Sequence, residues 1–442
     1  MTLQQARPNE FLSYVDKDSA TVDRRIFTDQ AIYEMELERI FARAWNFMCH
    51  ESQIPNPGDF FATTIGEDRV LCVRDNQGNA QVLVNSCRHR GNAVCRAEEG
   101  HASSFMCTYH GWTFDLEGKL VGVPGFKEVY HEELDRENWG LIKAAKVDSF
   151  KGFIFANMDP AAPELSDYLG EVGRMTINTL ALHGDNEIVG GVQKYTIPTN
   201  WKFAVDNIWD YYHGITSHAS AYLTDLKRNA SQWDTRGRYR ARHLVFLGEY
   251  GHAYSGPAND SEQRRKAAEA NPELETDWRS KPEALAEMGK IGIQGAGHAF
   301  TFPNFWISGN QVIMRYPRGP HKTECWFFTL LDKNLSEDKR KAAIHKAKHT
   351  FGPAGLWEQD DGENWGESTR AMDGIVSQRF PLHYGMSRGH GQVIREEGAP
   401  PYIEAKINEH SQLWYYRAWS EWMASDSWDD LREGHSKVEG TM

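Results

Sequence analysis

The sequence predicts an α+β fold in which a compact all-β module, near residues 45–159, is inserted into a larger mixed portion formed by residues 1–44 and 160–442. Three observations lead there. A chain of 442 residues is too long for one simple core and suits two domains. Between Asp59 and Asn157, short apolar runs alternate with turn residues, the signature of strands. On both sides of that stretch the apolar residues fall at helical spacing instead.

The elements follow in order. Phe27–Trp45 (FTDQAIYEMELERIFARAW) places Ile32, Met35, Leu37, Ile40, Phe41 and Trp45 largely on one helical face, with an N-cap at Thr28–Asp29. The β runs are FFATTI, RVLCVRD, AQVLVNS and GFIFANM, with turns at Gly66-Glu67, Asn76-Gln77-Gly78 and Glu117-Gly118. Past Pro160 the patterns are helical and mixed. The charged segment Asn229–His298 reads as surface ahead of a flap over a site, with helices expected at Asp260–Ala270 and Lys281–Lys290. Gln311–Leu331 holds two strands, VIMRYPRG and TECWFFTLL. Ser336–Phe351 is a basic amphipathic helix that Gly352-Pro353 stops. Leu413–Leu431 is a final, Trp-rich helix.

Charge narrows the function. Lys and Arg total 49 against 62 Asp and Glu, a formal net charge of −13. General attraction to nucleic acid or to an anionic membrane is thereby excluded. No run approaches the roughly 18 apolar residues of a membrane span. Met1–Asp23 is polar, without the apolar stretch of a leader, so a cytoplasmic protein is expected. No Gly-rich GxGxxG turn in a strand–helix setting is present, so no flavin or nicotinamide should bind directly. The six cysteines are Cys49, Cys72, Cys87, Cys95, Cys107 and Cys325. Without a secretion signal, those that cluster with histidine read as metal ligands.

Two do cluster. CRHRGNAVCRAEEGHASSFMCTYHGW contains Cys87-x-His89 and Cys107-x-x-His110. Each half supplies one thiolate and one imidazole, on what read as two loops between strands. A [2Fe–2S] cluster with two cysteines on one iron and two histidines on the other needs this set, and the imidazoles raise its potential. A Cys₂His₂ zinc site uses the same donors but more often begins with a Cys pair. Cys95 lies outside the pattern and reads as a packed thiol. Trp112 is placed to shield the cluster, with Arg88 and Arg90 in its surroundings.

The second cluster is NWKFAVDNIWDYYHGITSHAS, with Asp210, His213 and His218. Asp210 and His213 are at i, i+3 and would share a helix face. His213 and His218 would stand about 140° apart on a regular helix, too far to meet at one ion. Gly214 therefore predicts a break or widened turn. Two imidazoles and one carboxylate make the facial triad of non-haem Fe(II) oxygenases, with open positions for O₂. Spacing alone nominates Asp210 as the carboxylate.

Together these two motifs resemble the large (α) subunit of the Rieske-type ring-hydroxylating dioxygenases, a family that includes naphthalene, biphenyl and phenylpropionate dioxygenases. The likeness runs over nearly the whole chain, from ERIFARAW to the Trp-rich C-terminal segment. It implies a Rieske domain inserted into a catalytic domain whose antiparallel sheet is wrapped by helices. It implies that the third iron ligand lies in GLWEQDDGENW, at Asp361 with Asp360 as the fallback. Asp210 then becomes a bridge from His213 to the Rieske ligand His110 of a neighbouring subunit. The family often places Asn or Gln four residues before this aspartate, whereas Asn207 stands three before Asp210. The resemblance also implies O₂ as co-substrate, an aromatic substrate and cis-dihydroxylation of its ring. Electrons would come from a ferredoxin or reductase, and a small β subunit would complete an α₃β₃ (or α₃) ring. Motif neighbours Asn207, Ile208, Phe302, Asn304 and Trp357 are candidates for the substrate pocket.

Overall fold

The computed structural model describes residues 8–223, 235–260 and 278–442, with isolated positions between 261 and 277. It divides into two compact units: Phe41–Leu165, and Met1–Ile40 together with Ser166–Met442. The architecture is α+β, with the smaller unit inserted in the chain of the larger. Among the described residues no helix is long and apolar enough to cross a membrane.

The smaller unit is built from short antiparallel strands. Ala80–Val84, Asp68–Arg74, Asp59–Ile65 and Glu99–His101 form a four-stranded sheet in that order. A three-stranded sheet joins Leu120–Gly122, Thr113–Phe114 and Phe105–Met106, and another joins Lys146–Phe150, Phe153–Asn157 and Asn46–His50. Phe60, Leu71, Leu83, Phe105, Trp112 and Phe114 pack one core, and Cys87 and Cys107 belong to it.

The larger unit is organised on a nine-stranded sheet. Its order is Asn186–Ile197, Thr323–Asp332, Gln311–Pro317, Phe305–Ser308, His298–Thr301, Ala253–Pro257, His243–Leu247, Tyr402–Ala405 and Val393–Ile394. Every neighbouring pair is antiparallel. The register places Tyr195 and Arg315 on either side of Cys325, so the three share one sheet face. The expected strands at 311–331 are present, as is the basic helix, which runs Glu337–Thr350 with Ser336 as its N-cap. The helix expected at Lys281–Lys290 runs Pro282–Gly292. The one expected at Asp260–Ala270 lies largely outside the described residues.

Two helical expectations are corrected. Phe27–Trp45 is not one helix. Asp29 caps a short helix, Gln30–Glu36, which passes into a π turn at Leu37–Phe41. At the junction Glu36 is fully buried as an ion-pair and hydrogen-bond partner, so the face does not follow a simple amphipathic pattern. The Trp-rich segment is likewise two helices, His410–Ala424 and Trp428–Gly434. Ser427 breaks them apart: its side chain accepts from the Asp430 N–H, and Asp430 returns a bond to the Ser427 N–H.

Glu36 ties three elements together. Lys202 Nζ lies 2.5 Å from Glu36 Oε1, and neither side chain has exposed surface. Trp419 Nε1 donates to the same oxygen at 2.7 Å, and Trp201 Nε1 donates to Oε2 at 2.8 Å. A buried charge that loses its partner has no water to replace it. Lys202→Met is therefore expected to destabilise the protein by about 3–5 kcal/mol, read by calorimetry as a lower melting temperature. An unchanged melting temperature would contradict this account of the pair.

Candidate metal centres

The two Cys/His loops of the smaller unit have the same backbone scaffold. In the first, the Cys87 N–H donates to Asn92 O and the Gly91 N–H donates to Cys87 O. In the second, the Cys107 N–H donates to Trp112 O and the Gly111 N–H donates to Cys107 O. Both glycines have positive φ, 75° and 78°, which lets the chain curl back around the sulfur. The amides of His89 and Arg90 face Cys87, and those of Tyr109 and His110 face Cys107. Asn92 Nδ2 adds a donor 3.6 Å from Cys107 Sγ.

Burial raises the Cys87 thiol. It opposes Cys107 too, but there the amides and Asn92 prevail and favour the thiolate. His89 and His110 meet edge to face at 4.4 Å. Trp112 stacks on His89 at 5.1 Å, the shielding place expected of it, and is buried. Arg88 turns to the Trp139 ring and to Asn138 O. Cys95 is half-buried, with its sulfur 3.7 Å from Ala97 O. His89 Nδ1 is buried with no hydrogen-bond partner, as befits a nitrogen kept for a metal. Among the described residues, the group of three or more metal-type donors within 4.8 Å of one another is elsewhere, at His213, His218 and Asp361. Two cysteines and two histidines, with backbone amides aimed at each sulfur, supply the donor set that fits a cluster of two irons.

In the larger unit the chain leaves the Trp201–Asp206 helix through a 3₁₀ turn, Asn207–Trp209, and Asp210 is extended. His213–Ile215 is a separate 3₁₀ turn, so this stretch is not a regular helix, but the break falls at Asp210–Tyr212 and not at Gly214, which lies inside the tight turn. Asp210 and His213 consequently do not share a helix face, which corrects the i, i+3 reading. Asp210 instead holds the turn, its Oδ1 accepting from the N–H groups of Tyr212 (2.7 Å) and His213 (3.1 Å).

The turn brings the two imidazoles together, with His213 Nε2 and His218 Nε2 3.1 Å apart. Asp361 comes to them from the buried face of the Leu356–Met372 helix. Its Oδ1 lies 3.2 Å from His213 Nε2 and 3.3 Å from His218 Nε2. Donors on adjacent corners of an octahedron with bonds of roughly 2.1 Å stand about 3 Å apart. The triangle therefore has the size of a facial triad, and these three residues fit a mononuclear iron.

A carboxylate stands behind each ring. Asp210 Oδ2 is 3.2 Å from His213 Nδ1, and Asp360 Oδ2 is 3.5 Å from His218 Nδ1. Asp360 also accepts from Ser220 Oγ. Spacing had favoured Asp210 as the carboxylate of the triangle, but the structure places it on the far nitrogen. Such outer carboxylates fix tautomer and orientation. Trp357 stacks on His218 at 4.7 Å.

The other pocket candidates differ in setting. Asn207 is half-buried. Ile208 is buried, and its carbonyl accepts from His298 Nδ1 at 2.6 Å. Asn304 is buried, with Nδ2 bonded to Arg315 O. Phe302 stacks on Trp422 at 5.5 Å beside Tyr415, which is core packing. Sequence reasoning missed His298, Glu358, Arg315 and Tyr195. For Glu358 a signal existed: it stands three residues before Asp361, on the same helix face.

Comparison with known proteins agrees with this geometry. Residues 44–140 match the Rieske [2Fe-2S] domain, and residues 181–425 match the ring hydroxylating alpha subunit (catalytic domain). These two modules define a Rieske non-haem iron oxygenase, with a [2Fe–2S] cluster, a mononuclear iron and O₂ as co-substrate. The chain is 37% identical to the biphenyl 2,3-dioxygenase alpha subunit of Rhodococcus jostii, covering 94% of this chain and 92% of that one. It is 35% identical to a benzene 1,2-dioxygenase alpha subunit of Pseudomonas putida, with 96% of each covered. A solved naphthalene 1,2-dioxygenase with indole in its active site superposes with a TM-score of 0.85 at 28% identity, covering 96% of both chains. The chain belongs to the family of aromatic-ring-hydroxylating dioxygenase alpha subunits.

The electrostatics of His213, His218 and Asp361 set how metal binding depends on pH. Burial alone would lower the His213 imidazole, but Asp210 and Asp361 hold it up at about 10. His218 is lowered, burial being the larger influence. At neutral pH a metal must therefore displace a proton from His213, and its affinity falls as pH falls. Anaerobic Fe(II) titration calorimetry in buffers of different ionisation enthalpy should show about one proton released per ion at pH 7. No net release would contradict this picture.

Proposed function

We propose that this chain is the terminal oxygenase component of a multicomponent aromatic dioxygenase. It receives electrons from a ferredoxin or reductase and places both atoms of O₂ on an aromatic ring as a cis-dihydrodiol. The observation that carries the reading is the 3.1–3.3 Å triangle of His213, His218 and Asp361, in a chain that also bears the paired Cys/His loops. In this reading Cys87, His89, Cys107 and His110 hold the [2Fe–2S] cluster, within a domain spanning 45–159. His213, His218 and Asp361 hold the iron in a catalytic domain formed by 1–44 and 160–442.

When bound, the iron supplies O₂ binding and redox chemistry through its open coordination positions. The protein's own groups prepare the site for it. Asp210 and Asp360 stand at the Nδ1 atoms of the two histidines, so that once His213 gives up a proton to metal binding each Nε2 lone pair is directed to the ion. Trp357 fixes the His218 plane. Asn207, Ile208, Asn304 and Trp357 orient the ring, with Phe302 supporting them through packing. The names of the relatives support a substrate of one or two aromatic rings. The word alpha in the relatives' names supports a second kind of subunit; assembly as α₃β₃ with a small β subunit, or as α₃ without one, is part of the same proposal. A cytoplasmic location belongs to it as well, and cysteines that form no disulfide suit that location.

Two experiments test the reading. With a ferredoxin, a reductase and ¹⁸O₂, turnover of benzene, biphenyl or naphthalene is expected to give a cis-dihydrodiol carrying both labelled atoms. Incorporation of one atom would contradict dioxygenation. Asp361→Ala is expected to keep its sulfide and Rieske signal but lose the mononuclear iron and all oxygenation. Asp360→Ala is expected to retain the iron with about 10-fold to 100-fold weaker affinity. The reverse ranking would make Asp360 the ligand.

A further inference from the structure

Glu358 is a buried carboxylate one helical turn before Asp361, and the proposed chemistry does not use it. Both lie on the buried face of the Leu356–Met372 helix. The Glu358 side chain has no exposed surface. Opposite it stand Tyr195, Cys325 and Arg315, cross-strand partners on one face of the nine-stranded sheet. Tyr195 Oη donates to Glu358 Oε1 at 2.7 Å. Arg315 Nη2 lies 3.0 Å from Oε1 and 3.3 Å from Oε2. The guanidinium is fully buried, with the rings of Trp306, Phe327 and Trp365 at 5.2–5.6 Å from its centre.

A carboxylate and a guanidinium wholly out of water tolerate little displacement, because a slip leaves each charge uncompensated. The pair therefore works as a gauge of helix-to-sheet position. Gly355, the N-cap, provides no side-chain cap, so Glu358 joins Trp357 on His218 and Asp360 at Ser220 in holding this end of the helix. Just past Asp361 the spacing is again tight. A Cβ at Gly362 would stand 2.6 Å from Ile197 Cδ1 on the sheet. Arg315 has a second effect. Glu358 and Asp361 repel each other, and the guanidinium offsets that repulsion at the turn that carries the iron ligand.

We propose that Arg315, Glu358 and Tyr195 are positioning residues that set where Asp361 Oδ1 stands relative to His213 Nε2 and His218 Nε2. The proposal rests on Asp361 being an iron ligand.

The test uses the full chain as wild type, Tyr195→Phe, Arg315→Met, the double variant Arg315→Met/Glu358→Met, and Asp361→Ala as control. Each is stripped of mononuclear iron and titrated with Fe(II), and the ferrous–nitric oxide EPR signal is followed alongside sulfide content and melting temperature. Tyr195→Phe and Arg315→Met are expected to weaken Fe(II) binding about 10-fold to 100-fold, with sulfide unchanged. The double variant removes both charges, so its melting temperature returns towards that of the wild type while its iron binding stays weak. Recovery of both stability and iron affinity in the double variant would make the pair merely structural and overturn the proposal. Wild-type affinity in Tyr195→Phe and Arg315→Met would overturn it as well. If instead the wild type gives no signal, or Asp361→Ala binds iron as the wild type does, the ligand assignment itself fails and the inference falls with it.

Discussion

Three donor atoms from two distant parts of the chain must be held about 3 Å apart without a covalent link between those parts. Much of the larger unit meets that constraint. One part carries two histidines on a broken turn, and the other carries one aspartate on a helix. Each is anchored by a buried charge pair. Lys202 and Glu36 fix the helix that leads into the histidine turn. Arg315 and Glu358 fix the helix that carries Asp361. The nine-stranded sheet is a common reference, because its antiparallel register decides which side chains face the Asp361 helix.

The smaller unit solves a related problem differently. There the ligands lie on two loops that repeat one hydrogen-bond pattern, each curled by a glycine at the fourth position after the cysteine. The pattern aims backbone amides at each sulfur, which favours thiolate and steadies a cluster. Because each loop supplies its own scaffold, the site depends on local sequence. The three-residue site depends on tertiary packing.

That difference explains what was legible in the sequence. The Cys/His loops could be read directly, since ligands, glycines and the shielding Trp112 all lie within one short segment. That His213 and His218 do not sit on one regular helix was legible from the angular mismatch of a five-residue spacing, although the break falls before His213 and not at Gly214. The carboxylate was not legible from spacing, which favoured Asp210. The geometry shows why: the extended backbone at Asp210 swings it behind His213, to the nitrogen facing away from Asp361. The Trp-rich segment misled because the apolar period continues across the Ser427 cap, which competes with the helix through its own side chain. Arg315 and Tyr195 were beyond reach, because their shared face depends on a strand register fixed only in the folded sheet.

The central claim is that one chain carries two different iron centres. Its most direct test is anaerobic purification of the wild-type protein, with iron, sulfide and zinc analysis and EPR before and after dithionite reduction. The account predicts a red-brown protein with a Rieske signal on reduction and about three irons for two sulfides per chain. A colourless protein loaded with zinc, lacking sulfide and silent on reduction, would contradict it.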